Sequence, residues 1–157
     1  MSHNVHLQGV KFSDLSILER AVKELQLEGL DGTFVKEKTT IRGYTGYGGN
    51  PVSTVDAAIK LPNQSYDIGF NWDSKQNAYV PYFENGFQAP GLAADFGTTN
   101  VEGEVCRYRP QEAWLGKLSQ RYAVLMAERN AARNSLPTRR IVEKKTGQIH
   151  LEVTHRG

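Results

Sequence analysis

A stretch of apolar–polar alternation between Thr39 and Phe83 constrains the fold of this chain more than any other feature. Two segments carry it most clearly, VDAAIKL at 55–61 and YDIGFNW at 66–72. Successive side chains of a β-strand point to opposite faces, so a period of two indicates strands with one buried face. Turn-forming residues separate these segments from each other and from a third strand over 78–83. The stretch therefore predicts an antiparallel meander.

Helical patterns lie on both sides of this meander. Apolar residues recur at 3.6-residue spacing between 15 and 25, which predicts an amphipathic helix capped by the Ser13 hydroxyl and ending by Gly29. A longer helix is predicted from Pro110 to about Asn134, because proline is favoured in a first helical turn. The chain then closes in a hairpin that turns at Thr146-Gly147.

Strands on either side of two helices, in this order, are typical of the α+β class. We expect a mostly antiparallel sheet of about six to seven strands with two helices packed on one face, in a single domain over residues 1–157. Residues 84–109 are glycine-rich and without period, so they are predicted to form an inserted loop. The expected core joins eight residues: Leu18, Val22, Ile59, Ile68, Phe70, Leu118, Tyr122 and Leu125.

Composition narrows the setting of the protein. Cys106 is the one cysteine, so no intrachain disulfide forms and a reducing compartment is expected. The sequence has neither an apolar run long enough to span a bilayer nor a secretory signal. These features predict a cytoplasmic protein, or one inside the organelle that encodes it, without membrane association. Nothing in the sequence indicates an oligomeric state.

Positive charge is concentrated late in the chain. Residues 107–140 carry a net charge of +6, whereas residues 1–106 carry −5. Five arginines form the predicted binding surface for an acidic protein or nucleic acid: Arg121, Arg129, Arg133, Arg139 and Arg140. Arg129 and Arg133 continue the apolar stripe of the long helix, so we expect the helix to outrun the domain after Met126. The alternative is that these arginines pair with acids within the domain, or form a solvated helix face.

A glycine-rich loop follows Arg42, at 43–50, and contains Tyr44 and Tyr47. The lysine and hydroxyl residue of a phosphate loop are missing, so a flexible hairpin loop is favoured. Its tyrosines could still stack on a base or sugar, which makes Arg42 and the two tyrosines candidate binding residues.

Two carboxylates are the candidates for acid–base chemistry. Asp56 and Asp67 share the polar phase of adjacent strands and could approach one another, and close carboxylates have separated pKa values. The alternative is that they are solvated or form salt bridges with Lys60 or Arg42. The histidines lack ligand spacing, so neither a metal nor a cofactor is predicted.

Several separated segments carry a family resemblance: Met1-Ser2-His3, DLSILERAVKEL at 14–25, Arg42-Gly43-Tyr44 with Thr45-Gly46, VDAAIKL at 55–61, Tyr66-Asp67-Ile68-Gly69-Phe70, Gln120-Arg121-Tyr122-Ala123 and TGQIHLEV at 146–153. In this order they resemble the small uncharacterised proteins of a conserved plastid open reading frame, which begin Met-Ser-His and have bacterial relatives. The resemblance implies the fold, and a stromal location if the chain is plastid-encoded. It implies no activity, cofactor or catalytic residue. Residues 86–109 depart from the family pattern as an insertion, and Pro81 indicates an edge strand or a bulge.

Two functions follow as hypotheses. The leading one is a non-catalytic binding or adaptor module that acts through the basic long helix and the irregular loop. The alternative is a small enzyme that uses the strand carboxylates beside the Gly/Tyr-rich loop. A closed pocket uniting Asp56, Asp67, Arg42 and Tyr44 would favour the enzyme, and a flat solvated sheet face would not.

Overall fold

The computed structural model describes residues 2–5, 11–42, 52–62, 67–82 and 110–155. Within these ranges the chain forms nine strands and two helices. They are β1 (Ser2–Val5), α1 (Leu15–Leu27), β2 (Thr33–Val35), β3 (Thr39–Arg42), β4 (Val52–Val55), β5 (Ala57–Lys60), β6 (Ile68–Asp73), β7 (Ala78–Tyr82), α2 (Pro110–Arg133), β8 (Thr138–Val142) and β9 (Ile149–Thr154). The predicted loop of residues 84–109, Tyr44 and Tyr47 lie outside the described residues.

The α+β class and the antiparallel strand pairing are confirmed, but the prediction of one sheet of six to seven strands is wrong. The strands form three small sheets, in the orders β2-β5-β6-β7, β1-β9-β8 and β3-β4. The four-stranded sheet and the β3-β4 sheet separate between the pairs Val35–Ala58 and Thr39–Val55. Three residues lie between these pairs on one strand segment and two on the segment opposite. Such a mismatch interrupts a ladder and bends the strands. β7, which contains Pro81, lies at an edge as predicted.

The main core lies between the helices and one face of the four-stranded sheet. All eight residues predicted to share a core belong to this one cluster of buried side chains. Phe12 joins them, with its ring in edge-to-face contact with Tyr122 at 5.1 Å and with Phe70 at 5.9 Å between centroids. Burying a large apolar side chain contributes about 1.5–3 kcal/mol, so this cluster is the principal source of stability.

The start of α1 depends on α2. The N-cap is Asp14 and not the predicted Ser13, because the Asp14 carboxylate accepts hydrogen bonds from the backbone N–H groups of Ser16 at 2.8 Å and Ile17 at 3.2 Å. The N–H groups of Ser13 and Asp14 both donate to the Tyr122 hydroxyl, at 2.9 Å. A buried tyrosine thus accepts hydrogen bonds at the start of α1, where the helix itself leaves the Asp14 N–H unpaired.

The second half of α2 packs on the three-stranded sheet. Val124 and Ala131 form a second buried cluster with the inward side chains of β9, which alternate as predicted: Ile149, Leu151 and Val153. The Gln120 side-chain oxygen also accepts the Ile149 N–H at 2.8 Å. The expectation that the helix outruns the domain after Met126 is therefore wrong, because the sheet that covers this half is built from the two ends of the chain.

The β3-β4 hairpin forms a third layer on the face of the four-stranded sheet opposite the helices. Ile41, Val55 and Ala58 make a small buried cluster there. Val55 thus faces away from the core that holds Ala57, although alternation predicts one face for both, because the chain bends at Asp56 between them. A bend of one residue moves the following side chains to the other face.

None of the helices in the described part of the chain is long and apolar enough to cross a membrane.

The hairpin layer lies so close to β6 that only glycine fits at position 69. A Cβ atom there would be 2.6 Å from Cγ1 of Val55 and 3.1 Å from Cδ1 of Ile41. We expect Gly69→Ala to lower the free energy of unfolding by about 1–3 kcal/mol, as overpacking does. Gly116→Ala is the matched control, because no atom of the described residues, apart from the surrounding backbone of α2 itself, lies within 4 Å of its added Cβ. That change should raise stability by about 0.5–1 kcal/mol. Urea unfolding checks both, and equal effects at the two glycines would contradict the close packing.

Candidate functional site

A buried carboxylate lies at the junction of the hairpin layer and the four-stranded sheet. Asp67 directly precedes β6 and is 2% exposed. Its Oδ1 accepts the backbone N–H of Leu61 at 3.0 Å, and its Oδ2 accepts that of Arg42 at 3.0 Å. The Arg42 guanidinium adds two hydrogen bonds, Nη2 to Oδ1 at 2.9 Å and Nε to Oδ2 at 3.3 Å. The carboxylate therefore connects the end of β3 with the residues that follow β5.

Two cations surround this carboxylate and remain partly exposed. The Arg42 side chain is 51% exposed, and its Nη2 also donates to the Leu61 carbonyl at 2.6 Å. No hydrogen bond engages Nη1 of Arg42 within the described residues. Lys60 is 33% exposed, with its Nζ 3.9 Å from Oδ2 of Asp67 and donating to the Thr40 carbonyl. Donors on both side chains are therefore left without a partner among the described residues.

Electrostatics keep Asp67 ionised. Burial raises the pKa of its carboxyl, but the hydrogen bonds from the Arg42 side chain and from the Leu61 and Arg42 N–H groups outweigh burial and hold that pKa below its usual range. The same contact raises the pKa of Arg42. Among the ion pairs of the described residues, two cations and one anion meet at this junction, which leaves one positive charge in excess.

A cavity of about 430 Å³ opens over these groups, and we call it the Arg42–Lys60 pocket. Its lining comprises Thr33, Thr40, Ile41, Arg42, Lys60, Leu61, Pro62 and Asp67. Ile41, Leu61 and Asp67 are buried and form its floor, whereas the two threonines and Pro62 are exposed at its rim. This volume is in the range of small-molecule sites.

The structure does not bring the two predicted catalytic carboxylates together. Asp56 lies at the bend before β5, where its Oδ2 accepts the N–H of Trp72 at 2.8 Å. Asp67 lies at the other end of the β5-β6 ladder. Ala57 pairs with Phe70 at the Asp56 end, and Ile59 pairs with Ile68 at the Asp67 end. Of the two, Asp67 alone lines the pocket.

Arg121 and Arg140 form a network with acids of both helices. Arg140 on β8 contacts Glu24 of α1 through Nη1 at 2.7 Å and Glu128 of α2 through Nη2 at 2.7 Å. Arg121 contacts Glu24 at 3.1 Å and also pairs with Glu28. Burial raises the pKa of Glu24, but hydrogen bonds from Arg140 and Arg121 hold it below its ordinary value. The positive charge of these two arginines is therefore neutralised within the chain.

The remaining predicted arginines differ in their surroundings. Arg129 binds the N-cap residue Asp14, Nη1 to Oδ2 at 2.7 Å, and this hydrogen bond holds the pKa of Asp14 below its usual range. Arg139 is 70% exposed and contacts Glu152 at 3.3 Å. Arg133 is exposed and makes no ion pair with the other described residues. Arg133 and Arg139 are thus the members of the predicted surface that face solvent most fully.

Sequence reasoning named Arg42 and Asp67 but missed Lys60 and the threonines as site residues. The sequence did offer a way to find Lys60. It lies two residues after Ala58 on β5, so both side chains point to the same face of the strand, which is the face that the hairpin covers. This face of β5 lines a pocket because the hairpin folds back over the sheet.

Comparison of the chain with family models, with curated proteins and with solved structures gave no match. The resemblance to the plastid reading-frame family therefore stays a prediction.

Replacing Asp67 by Asn tests the role of the buried carboxylate. The change should lower the free energy of unfolding at pH 7 by about 1–3 kcal/mol, a value at the lower end for a broken buried pair because Arg42 is half exposed. Since the folded-state pKa of Asp67 lies below the unfolded value of about 3.9, its contribution is complete above pH 4 and is lost as the pH falls through the folded-state pKa. The difference between wild type and variant in urea unfolding should therefore shrink below pH 4.

Asp56→Asn is the matched control for this change. The amide oxygen can still accept the Trp72 N–H at that partly exposed position, so we expect a smaller loss at pH 7. Equal stability of wild type and Asp67→Asn across the pH range would contradict the assigned role.

Proposed function

We propose that this chain is a non-catalytic binding module that holds an anionic group of its ligand in the Arg42–Lys60 pocket. One observation carries the proposal: a cavity of about 430 Å³ where the described residues carry one positive charge in excess, with donors that none of those residues engages. Arg42 Nη1 and the remaining N–H groups of Lys60 are held in position by contacts to Asp67 and to the Thr40 carbonyl. Donors fixed before binding lose little freedom when a ligand arrives, which favours affinity.

The state of Asp67 supports binding over acid–base catalysis at this pocket. A general base needs an accessible lone pair and a pKa near the working pH. Both oxygens of Asp67 already accept hydrogen bonds, and its pKa is held below the usual range. Asp56 lies at the far end of the strand pair, so it does not supply a second carboxylate here.

The proposal moves the binding site from the long helix to the pocket. Arg121, Arg129 and Arg140 are committed to acids within the chain, which leaves them less charge to offer an acidic protein or nucleic acid. A macromolecular partner would instead present one anionic group to Arg42 and Lys60. The irregular loop of residues 84–109 stays a predicted part of the binding surface.

Lys60→Gln tests the proposed site. Phosphate, sulfate, acetate and hexanoate are added separately at constant ionic strength, and thermal unfolding is recorded. At least one anion should raise the Tm of the wild type, because a ligand that binds only the folded state adds about 2.7 kcal/mol at one hundred times its Kd. The rise should be at least halved in Lys60→Gln.

Lys75→Gln serves as the control, since Lys75 is an exposed lysine in the turn between β6 and β7, outside the pocket. It should respond as the wild type does. The proposal fails if none of the four anions raises the Tm, or if the two lysine variants respond alike.

A further inference from the structure

Resting on the proposed anion site, we infer that the Arg42–Lys60 pocket selects a monocarboxylate with a compact apolar body over phosphate and polyphosphate. Three features of the pocket point to this class of ligand: its charge, the kind of donors left unengaged, and its size relative to an ion.

The charge of the pocket fits a monoanion. Arg42 and Lys60 together exceed the charge of Asp67 by one. A single carboxylate therefore makes the junction neutral. Each further negative charge would lie near the ionised Asp67 at the floor, without another cation of the described lining to pair with. Like charges repel most strongly in partly desolvated sites.

The available donors fit a planar carboxylate. Phosphate cradles use successive backbone N–H groups, often at a helix N-terminus. Here the backbone N–H groups of Arg42 and Leu61 already donate to Asp67. Among the described residues, the charged donors that remain are one nitrogen of a planar guanidinium and an ammonium, which can each donate to one oxygen of a carboxylate. The hydroxyls of Thr33 and Thr40 lie at the rim as neutral donors.

The pocket is larger than a bare anion. A carboxylate group fills only a small part of its 430 Å³. The floor presents Ile41 and Leu61, and Pro62 lies at the rim. The methylene groups of Lys60 and Arg42 extend this apolar surface. An apolar body of several carbons attached to the carboxylate fills the remaining volume.

Isothermal titration calorimetry at fixed ionic strength tests the inference on the wild-type chain. Sodium hexanoate should bind at least tenfold more tightly than acetate, which lacks the body, and than 1-hexanol, which lacks the charge. It should also bind at least tenfold more tightly than phosphate and pyrophosphate. Tighter binding of phosphate or pyrophosphate would overturn the monocarboxylate inference while leaving the anion site intact. Binding of none of these anions would overturn the proposed function itself.

Graded charge changes at one residue give a second readout. Lys60→Gln removes the excess positive charge and should weaken hexanoate binding about tenfold, and Lys60→Glu should abolish it. Lys75→Gln should bind hexanoate as the wild type does. Circular dichroism and urea unfolding establish that each variant is folded, and equal hexanoate affinity in a folded Lys60→Glu variant would contradict the inference.

A carboxylate on an apolar body occurs both in free small acids and at the C-terminus of a polypeptide that ends in an apolar residue. Titration with an acetylated tripeptide ending in leucine, and with its C-terminal amide, distinguishes the two sources. The inference requires in every case that hexanoate binds more tightly than 1-hexanol. A polypeptide C-terminus is identified as the source if the free-acid peptide binds more tightly than hexanoate and its amide does not, and a free small acid if hexanoate binds more tightly than the peptide.

Discussion

The hairpin layer of this protein depends on the carboxylate of Asp67. A carboxylate that is 2% exposed is costly unless hydrogen bonds replace its hydration. Asp67 obtains them from the Leu61 backbone and from the backbone and guanidinium of Arg42. Because Arg42 ends β3, these bonds form only when the β3-β4 hairpin folds back over the sheet, where Gly69 leaves room for Val55. The third layer and the buried carboxylate therefore require each other.

The same interaction determines the electrostatics of the pocket. Asp67 holds Arg42 in place and lies close to Lys60, yet it neutralises only one of their two charges. On the helix side of the sheet, ion pairing is closer to balance, since Glu24 lies between Arg121 and Arg140. Among the described residues, an excess of positive charge therefore lies at the junction of two strand layers, whereas on the long helix Arg121 and Arg129 are paired and Arg133 is exposed.

Local patterns predicted the elements well, and distant contacts explain most of what they missed. Both helices, the closing hairpin and the shared core follow from periodicity, because burial of one face imposes a period on each element. The bend at Asp56 reverses the face of Val55 and divides the expected single sheet, and alternation does not report a bend of one residue. Arg129 pairs with Asp14, more than a hundred positions away, so charge clustering along the chain overstated the free positive surface. Lys60 lines a pocket only because the β3-β4 hairpin packs over its face of β5, and no local pattern shows that packing.

A double-mutant cycle between Arg42 and Asp67 measures directly whether the contact between these two side chains stabilises the fold. The free energy of unfolding is measured at pH 7 for the wild type, Arg42→Met, Asp67→Asn and the double variant. Residues in one hydrogen-bonded network have interaction energies of about 0.5–3 kcal/mol. We expect a favourable coupling free energy of at least about 1 kcal/mol between these two side chains. All four proteins should unfold in a cooperative transition. A coupling below about 0.3 kcal/mol, the level at which independent sites add, would contradict this expectation.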